Sequence, residues 1–292
     1  MAGGTLPPAA FRLVSAPGWT GAVGGNGSIS GTNGFDDIAL LQGWITLDGS
    51  FNRGSDVIRL DGAAQDFAIS RSGSSTALVT RGDGLRVAIP VGQAGLSLDF
   101  DDGARTLRVD SGGYHVGAQD FSGQPVPITA PPQAPAPAGG SGDAQARLVL
   151  LGAPLQPGQE AQVTIGGNVR IAGTNGADVV AIAGTGGRFV FDGSFNRGGD
   201  TLVLPGHAAD YTAARQGSST VTVTGHDATL AIPIGRAGLT LHFADGDRLL
   251  AVADGKVMLG AQEVAGTIHL DPPAAPLAAA LVAADSSLTA FG

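Results

Sequence analysis

Seven aspartates and four asparagines stand in two near-identical glycine-rich stretches, 31–60 and 173–204. The first reads GTNGFDDIALLQGWITLDGSFNRGSDVIRL and the second GTNGADVVAIAGTGGRFVFDGSFNRGGDTLVL. Asp36 and Asp56 are 20 residues apart; Asp178 and Asp200 are 22 apart. Each pair is separated by a turn, a short aliphatic run, another turn and another run. That alternation predicts one lap of a flattened parallel β-solenoid, so the turns carrying the two aspartates stack on one side, ~4.8 Å apart. Carboxylates gathered on stacked turns suit a hard cation, and calcium accepts six to eight oxygen ligands in loose geometry. The expected metal ligands are therefore Asp36, Asp56, Asp178 and Asp200, with Asp37 as an extra candidate. Asn33, Asn52, Asn175 and Asn196 either ligate or cap the turns. Glycine is expected to supply positive φ and to aim carbonyls inward. Gly, Asn and Asp also cluster in turns for backbone reasons alone.

The elements that position these residues belong to a duplicated unit. Phe11-Arg12-Leu13-Val14 matches Ala146-Arg147-Leu148-Val149, and Ala88-Ile89-Pro90-Val91-Gly92 matches Ala231-Ile232-Pro233-Ile234-Gly235. The expected layout is a first β domain (9–126), a Pro/Ala/Gly linker (127–144), a second homologous β domain (145–271) and a C-terminal tail (272–292). The fold class is all-β: two tandem homologous domains, each a short parallel solenoid segment followed by antiparallel, sandwich-like strands. Stretches 66–80 and 210–224 read as hairpins tipped by Gly-Ser. Pro90 and Pro233 are expected at an edge or a bulge, because proline cannot donate to a ladder.

Composition bounds the chemistry. With 48 glycines in 292 residues, 43% hydrophobic and 14% charged residues, the chain reads as many short strands and tight turns rather than disorder. The net charge is −9, Lys256 is the single lysine, and no run of basic residues appears, so nucleic acid is not an expected partner. The absence of cysteine excludes disulfides and thiolate metal sites. The N-terminal residues lack the basic-then-apolar pattern of a signal peptide, and no apolar run is long enough to span a membrane.

The stretch GTNGADVVAI resembles the nonapeptide repeat of RTX (repeats-in-toxin) proteins, and SFNRGGDTLVL carries the second half of the same pattern. The whole units are similar to modules of large type I-secreted surface and S-layer-like proteins of Gram-negative bacteria. The resemblance implies calcium binding, folding after export and an extracellular structural or adhesive role. A complete GGxGxD never appears.

No other constellation competes. The five histidines show no zinc spacing, and no G-x-S-x-G elbow occurs. Asp101/Asp102 and Asp245/Asp247 flank glycine in hairpin turns, so the glycosidase reading of paired carboxylates is the weaker one. Trp44 is a candidate for a single exposed contact. The expectation is a non-enzymatic, secreted, calcium-binding structural protein of the cell surface or matrix. It would self-assemble as an S-layer, filament or adhesin component. The alternative is a calcium-dependent carbohydrate-binding module or lectin; a region of a polysaccharide-active enzyme is third. Expected partners are further copies of the chain and cell-surface polysaccharide. The tail or the Phe11 strand is a candidate for pairing with a neighbour's sheet edge.

Overall fold

The computed structural model describes residues 7–53, 56–134, 143–197 and 199–271. The tail expected at 272–292 and the middle of the expected linker lie outside these residues. The first unit runs β1 (Phe11–Val14), β2 (Thr20–Gly25), β3 (Gly27–Ser30), β4 (Asp37–Leu40), β5 (Trp44–Leu47), β6 (Val57–Leu60), β7 (Phe67–Ser72), β8 (Thr76–Arg81), β9 (Arg86–Pro90), β10 (Leu96–Phe100), β11 (Gly103–Asp110), β12 (Gly113–Val116), β13 (Gln119–Phe121) and β14 (Val126–Pro127). The second runs β15 (Ala146–Leu150), β16 (Val163–Ile165), β17 (Val169–Ala172), β18 (Val179–Ile182), β19 (Gly187–Phe191), β20 (Thr201–Val203), β21 (Thr212–Gln216), β22 (Thr220–Gly225), β23 (Ala228–Pro233), β24 (Leu239–Phe243), β25 (Gly246–Ala253), β26 (Lys256–Leu259), β27 (Gln262–Glu263) and β28 (Thr267–His269).

Alternation writes the two layers. In β1 the apolar Phe11 and Leu13 are buried while Arg12 and Val14 are exposed. From β1 to β6 successive strands go to opposite sheets. Sheet A stacks β1, β3, β5 and β9 in parallel, and sheet B stacks β2, β4, β6 and β10 in parallel. This is the expected solenoid lap. The core lies between the sheets, with Leu13, Ile29, Ile45 and Val87 from one facing Val23, Ile38, Ile58 and Leu98 from the other. Each such side chain contributes on the order of 1.5–3 kcal/mol by leaving water. The hairpins at 66–80 and 210–224 form as β7–β8 and β21–β22, with Gly73 and Gly217 at positive φ in their tips.

The two units are joined through both sheets. β1 pairs antiparallel with β15 (Leu13 opposite Leu148), and β2 pairs antiparallel with β16 (Val23 opposite Ile165). Each sheet thus runs through fourteen strands, and one hydrophobic cluster spans both units. The twins face each other about a pseudo-twofold axis, as the subunits of a symmetric dimer do. Trp19 fastens the joint: buried, it donates its indole N–H to the Asn168 carbonyl at 2.8 Å.

Three expectations change. The start of the expected linker belongs to the first unit: β14 pairs with β7, Ile128 and Ala130 are buried, and Gln133 bridges to Ala104. The Phe11 strand is central, paired on both sides, and not available to a neighbour. Pro90 ends an interior strand rather than an edge or bulge. Its neighbour β5 pairs only as far as Ala88, so the missing N–H breaks no bond there.

A candidate site in the stacked aspartate turns

The turn between β3 and β4 and the turn between β5 and β6 lie on the same side of the slab, as the lap spacing requires. They carry Asp36 and Asp56; Asp178 and Asp200 occupy the twin positions. All four are at most 1% exposed. Burying a carboxylate is costly unless it is matched by donors or a cation. At Asp36 and Asp178 the donors come from the chain.

Asp36 accepts hydrogen bonds from the Ser15 hydroxyl (2.6 Å), the Thr32 N–H (2.6 Å) and the Thr32 hydroxyl (3.2 Å). The Thr32 hydroxyl also accepts from the Gly34 N–H at 3.1 Å. Asp36 in turn donates its own N–H to Asp56 Oδ1 at 2.8 Å. The second unit repeats the scheme. Thr174 gives its N–H (2.5 Å) and hydroxyl to Asp178, and the Asp178 N–H is donated to Asp200 Oδ1 at 2.9 Å. The backbone closes the same stack, with the Val57 N–H on the Asp36 carbonyl and the Ser97 N–H on the Asp56 carbonyl. The aspartates form a ladder in which each lap's carboxylate holds the amide of the lap before it.

The glycines serve closeness, not carbonyl coordination. Gly31, Gly34, Gly173 and Gly176 are outside the positive-φ region, contrary to expectation. A Cβ at Gly31 would lie 2.7 Å from Asp36 Oδ2 and from Ser50 Oγ, and one at Gly173 would meet Asp178 and Ser194 at the same distance. Phe51 and Phe195, fully buried, close the turns from within.

Asp36 and Asp178 are poorly placed to ligate a calcium ion. It needs lone pairs from several oxygens at one point, whereas both oxygens of Asp36 and of Asp178 already face N–H and O–H donors. Among the described residues no group of three or more His, Asp or Glu comes together as a metal cluster. Asp37, the extra candidate, is elsewhere: it lies on sheet B in a two-point ion pair with Arg59 (2.7 and 2.8 Å), which also reaches Asp99. Asn33 and Asn175 are exposed at the turn rims. Asn52 packs against Gly92 of the next lap, and Asn196 donates to the Ile234 carbonyl. The asparagines therefore do not join the carboxylates.

Several other titratable groups hold turns and strands together. Asp48 and Asp192 cap short 3-10 turns by accepting the N–H groups of Ser50 and Ser194. Asp101 accepts the Gly62 N–H, and Asp102 pairs with Arg105. His115 stands between Asp110 (2.9 Å) and Asp120 (2.7 Å), whose hydrogen bonds push its pKa up.

No protein-family model and no curated protein matches the chain. A solved structure, the crystal structure of extracellular lipase LipA from Serratia marcescens, is matched at 14% identity and a TM-score of 0.23. The match covers 70% of this chain and 37% of that one, so the chain spans little more than a third of its length. A match this distant carries no argument about activity. It does remove one expectation: the matched protein is an enzyme, and we no longer hold that this chain is not one. Among the described residues no helix is long and apolar enough to cross a membrane.

Proposed function

We propose that the chain is a rigid structural module of a protein that works outside the bacterial cell, in a surface layer or matrix. The observation behind this reading is the unbroken passage of both sheets through the two units. A slab with one core across fourteen strands transmits load, whereas two beads on a linker would swing. The RTX-like stretches supply the turns of such a slab, with hydrogen bonds where a β-roll of that kind would hold ions. The structural role belongs to the slab itself rather than to polymers built by strand addition. Its outermost strands β13, β14, β27 and β28 are two or three residues long, and β14 ends in Pro127, features that block edge pairing.

Fractionation of the cells that make the protein tests the location. The expected result is a protein recovered from the surface or culture fluid, digested by protease added to intact cells, and retained there after a chelator wash. Recovery in the cytosol, protected from external protease, would overturn the reading.

A further inference from the structure

Charge is divided unequally between the sheets. No strand of sheet A contains Asp or Glu. Five of its arginines, Arg12, Arg86, Arg147, Arg170 and Arg188, alternate with buried apolar residues and are exposed on its outer face. Among the described residues none of the five makes an ion pair. On the strands of sheet B the reverse holds: Arg59, Arg105, Arg108, Arg248 and Lys256 are all paired with Asp or Glu. In a chain of net charge −9, fourteen strands with arginines and no acid are not a by-product of composition.

The arginines are gathered at the centre. Arg147 and Arg170 are direct partners on neighbouring parallel strands, ~4.8 Å apart along the sheet. Arg12, opposite Val149, is diagonal to Arg147 at ~7–8 Å across the antiparallel joint. Like charges side by side oppose folding, and Asp48 and Asp192, which follow β5 and β19, are occupied in their own turns. Arg86 lies over the Trp44 ring at 5.1 Å. Beside it the face dips into a groove of about 710 Å3 bordered by Thr80, Arg81, Pro127 and, at its rim, Asp66. From β9 to β19 the face spans six strand steps, ~29 Å. Hydroxyls lie among the arginines: Ser28 beside Arg12, Thr46 beside Ser28, Thr229 beside Arg188.

We propose that this outer face of sheet A binds an acidic polysaccharide, a chain of sugar rings bearing carboxylates. Guanidinium groups bind carboxylates through two parallel hydrogen bonds, serine and threonine match sugar hydroxyls, and the Trp44 ring offers a stacking edge. A flat face meets few phosphates of a convex duplex, and the overall negative charge repels a densely charged polymer. The proposal rests on this face and not on where the chain is located.

Affinity electrophoresis of the purified chain through gels containing polygalacturonate tests it, with dextran as the neutral control. The expected result is retardation by polygalacturonate alone, weakened by added salt. The variant Arg12→Gln/Arg147→Gln/Arg170→Gln should bind about tenfold more weakly or worse. The turn variant Arg53→Gln/Arg197→Gln/Arg236→Gln changes net charge equally and should bind as the parent does. Should the first variant fail to fold, Arg86→Glu/Arg188→Glu, at the ends of the face, takes its place with the same expected loss. Absence of retardation, equal retardation by dextran, or equal losses in face and turn variants would overturn the proposal. So would tighter binding to duplex DNA or to phosphatidylglycerol-containing vesicles.

Discussion

Asp36→Ala will destabilise the fold by about 3–5 kcal/mol, since three donors lose a buried acceptor and each unsatisfied buried donor costs ~1–3 kcal/mol. The donors are the Ser15 hydroxyl and the Thr32 N–H and hydroxyl, and the carboxylate they meet is 0% exposed. The twin provides a graded comparison. Leu150 stands where the first unit has Ser15, so Asp178 serves only Thr174. Asp178→Ala should therefore cost less, about 2–4 kcal/mol. Asparagine separates hydrogen bonding from cation binding. Asp36→Asn keeps one carbonyl acceptor and should recover part of the loss. If the turns were ion sites, Asn and Ala would be nearly equivalent, because either removes the charge. Urea titration followed by circular dichroism reads all three variants.

Gly43→Ala and Gly187→Ala will each cost about 3 kcal/mol or more, by adding left-handed strain of ~1–2 kcal/mol to overpacking of ~1–3 kcal/mol. These glycines make the turns on the opposite side of the slab, at φ +95° and +132°. A Cβ at Gly43 would lie 2.3 Å from the Gly25 carbonyl oxygen, and one at Gly187 2.2 Å from that of Gly167. Both obstacles are backbone and cannot rotate away. Gly49 and Gly193 are the controls: a Cβ there meets nothing within 4 Å and φ is not positive. Their replacement by alanine should be neutral or stabilising by up to ~1 kcal/mol through the unfolded chain. Equal losses at all four positions would mean that glycine is needed for reasons other than this packing.

The layered fold was largely legible because its signals are local. Apolar alternation in Phe11-Arg12-Leu13-Val14 sets the faces of β1, and the Gly-Ser tips set the hairpins. The 20- and 22-residue aspartate spacings set the lap. Joining of the twins was not legible. Nothing in Leu148-Val149-Leu150 says that its neighbour is Phe11-Arg12-Leu13 rather than solvent, and the Pro/Ala-rich stretch between them suggested separation. The site was half legible. Spacing placed Asp36 and Asp56 on stacked turns, but a buried carboxylate can be balanced by a cation or by donors, and residue type does not decide between them. Thr32 and Thr174, four residues before the aspartates, are the donors that decide it, and they look like ordinary turn residues. The basic face was hidden for another reason. Residues 12, 86, 147, 170 and 188 are scattered along the chain, and only strand stacking brings them together. A sign was present in the recurring apolar-Arg-apolar triplets, such as Val169-Arg170-Ile171.

The central claim is that chain donors, and no metal ion, balance Asp36 and Asp178. Thermal unfolding of the wild-type chain in saturating calcium and in excess chelator tests it most directly. The account predicts the same midpoint and the same circular dichroism spectrum in both. An ion bound only by the folded state, at a hundred times its dissociation constant, adds ~2.7 kcal/mol, which raises the midpoint by roughly 5–10 °C. A saturable rise of that size, lost in Asp36→Asn/Asp178→Asn, would contradict the account.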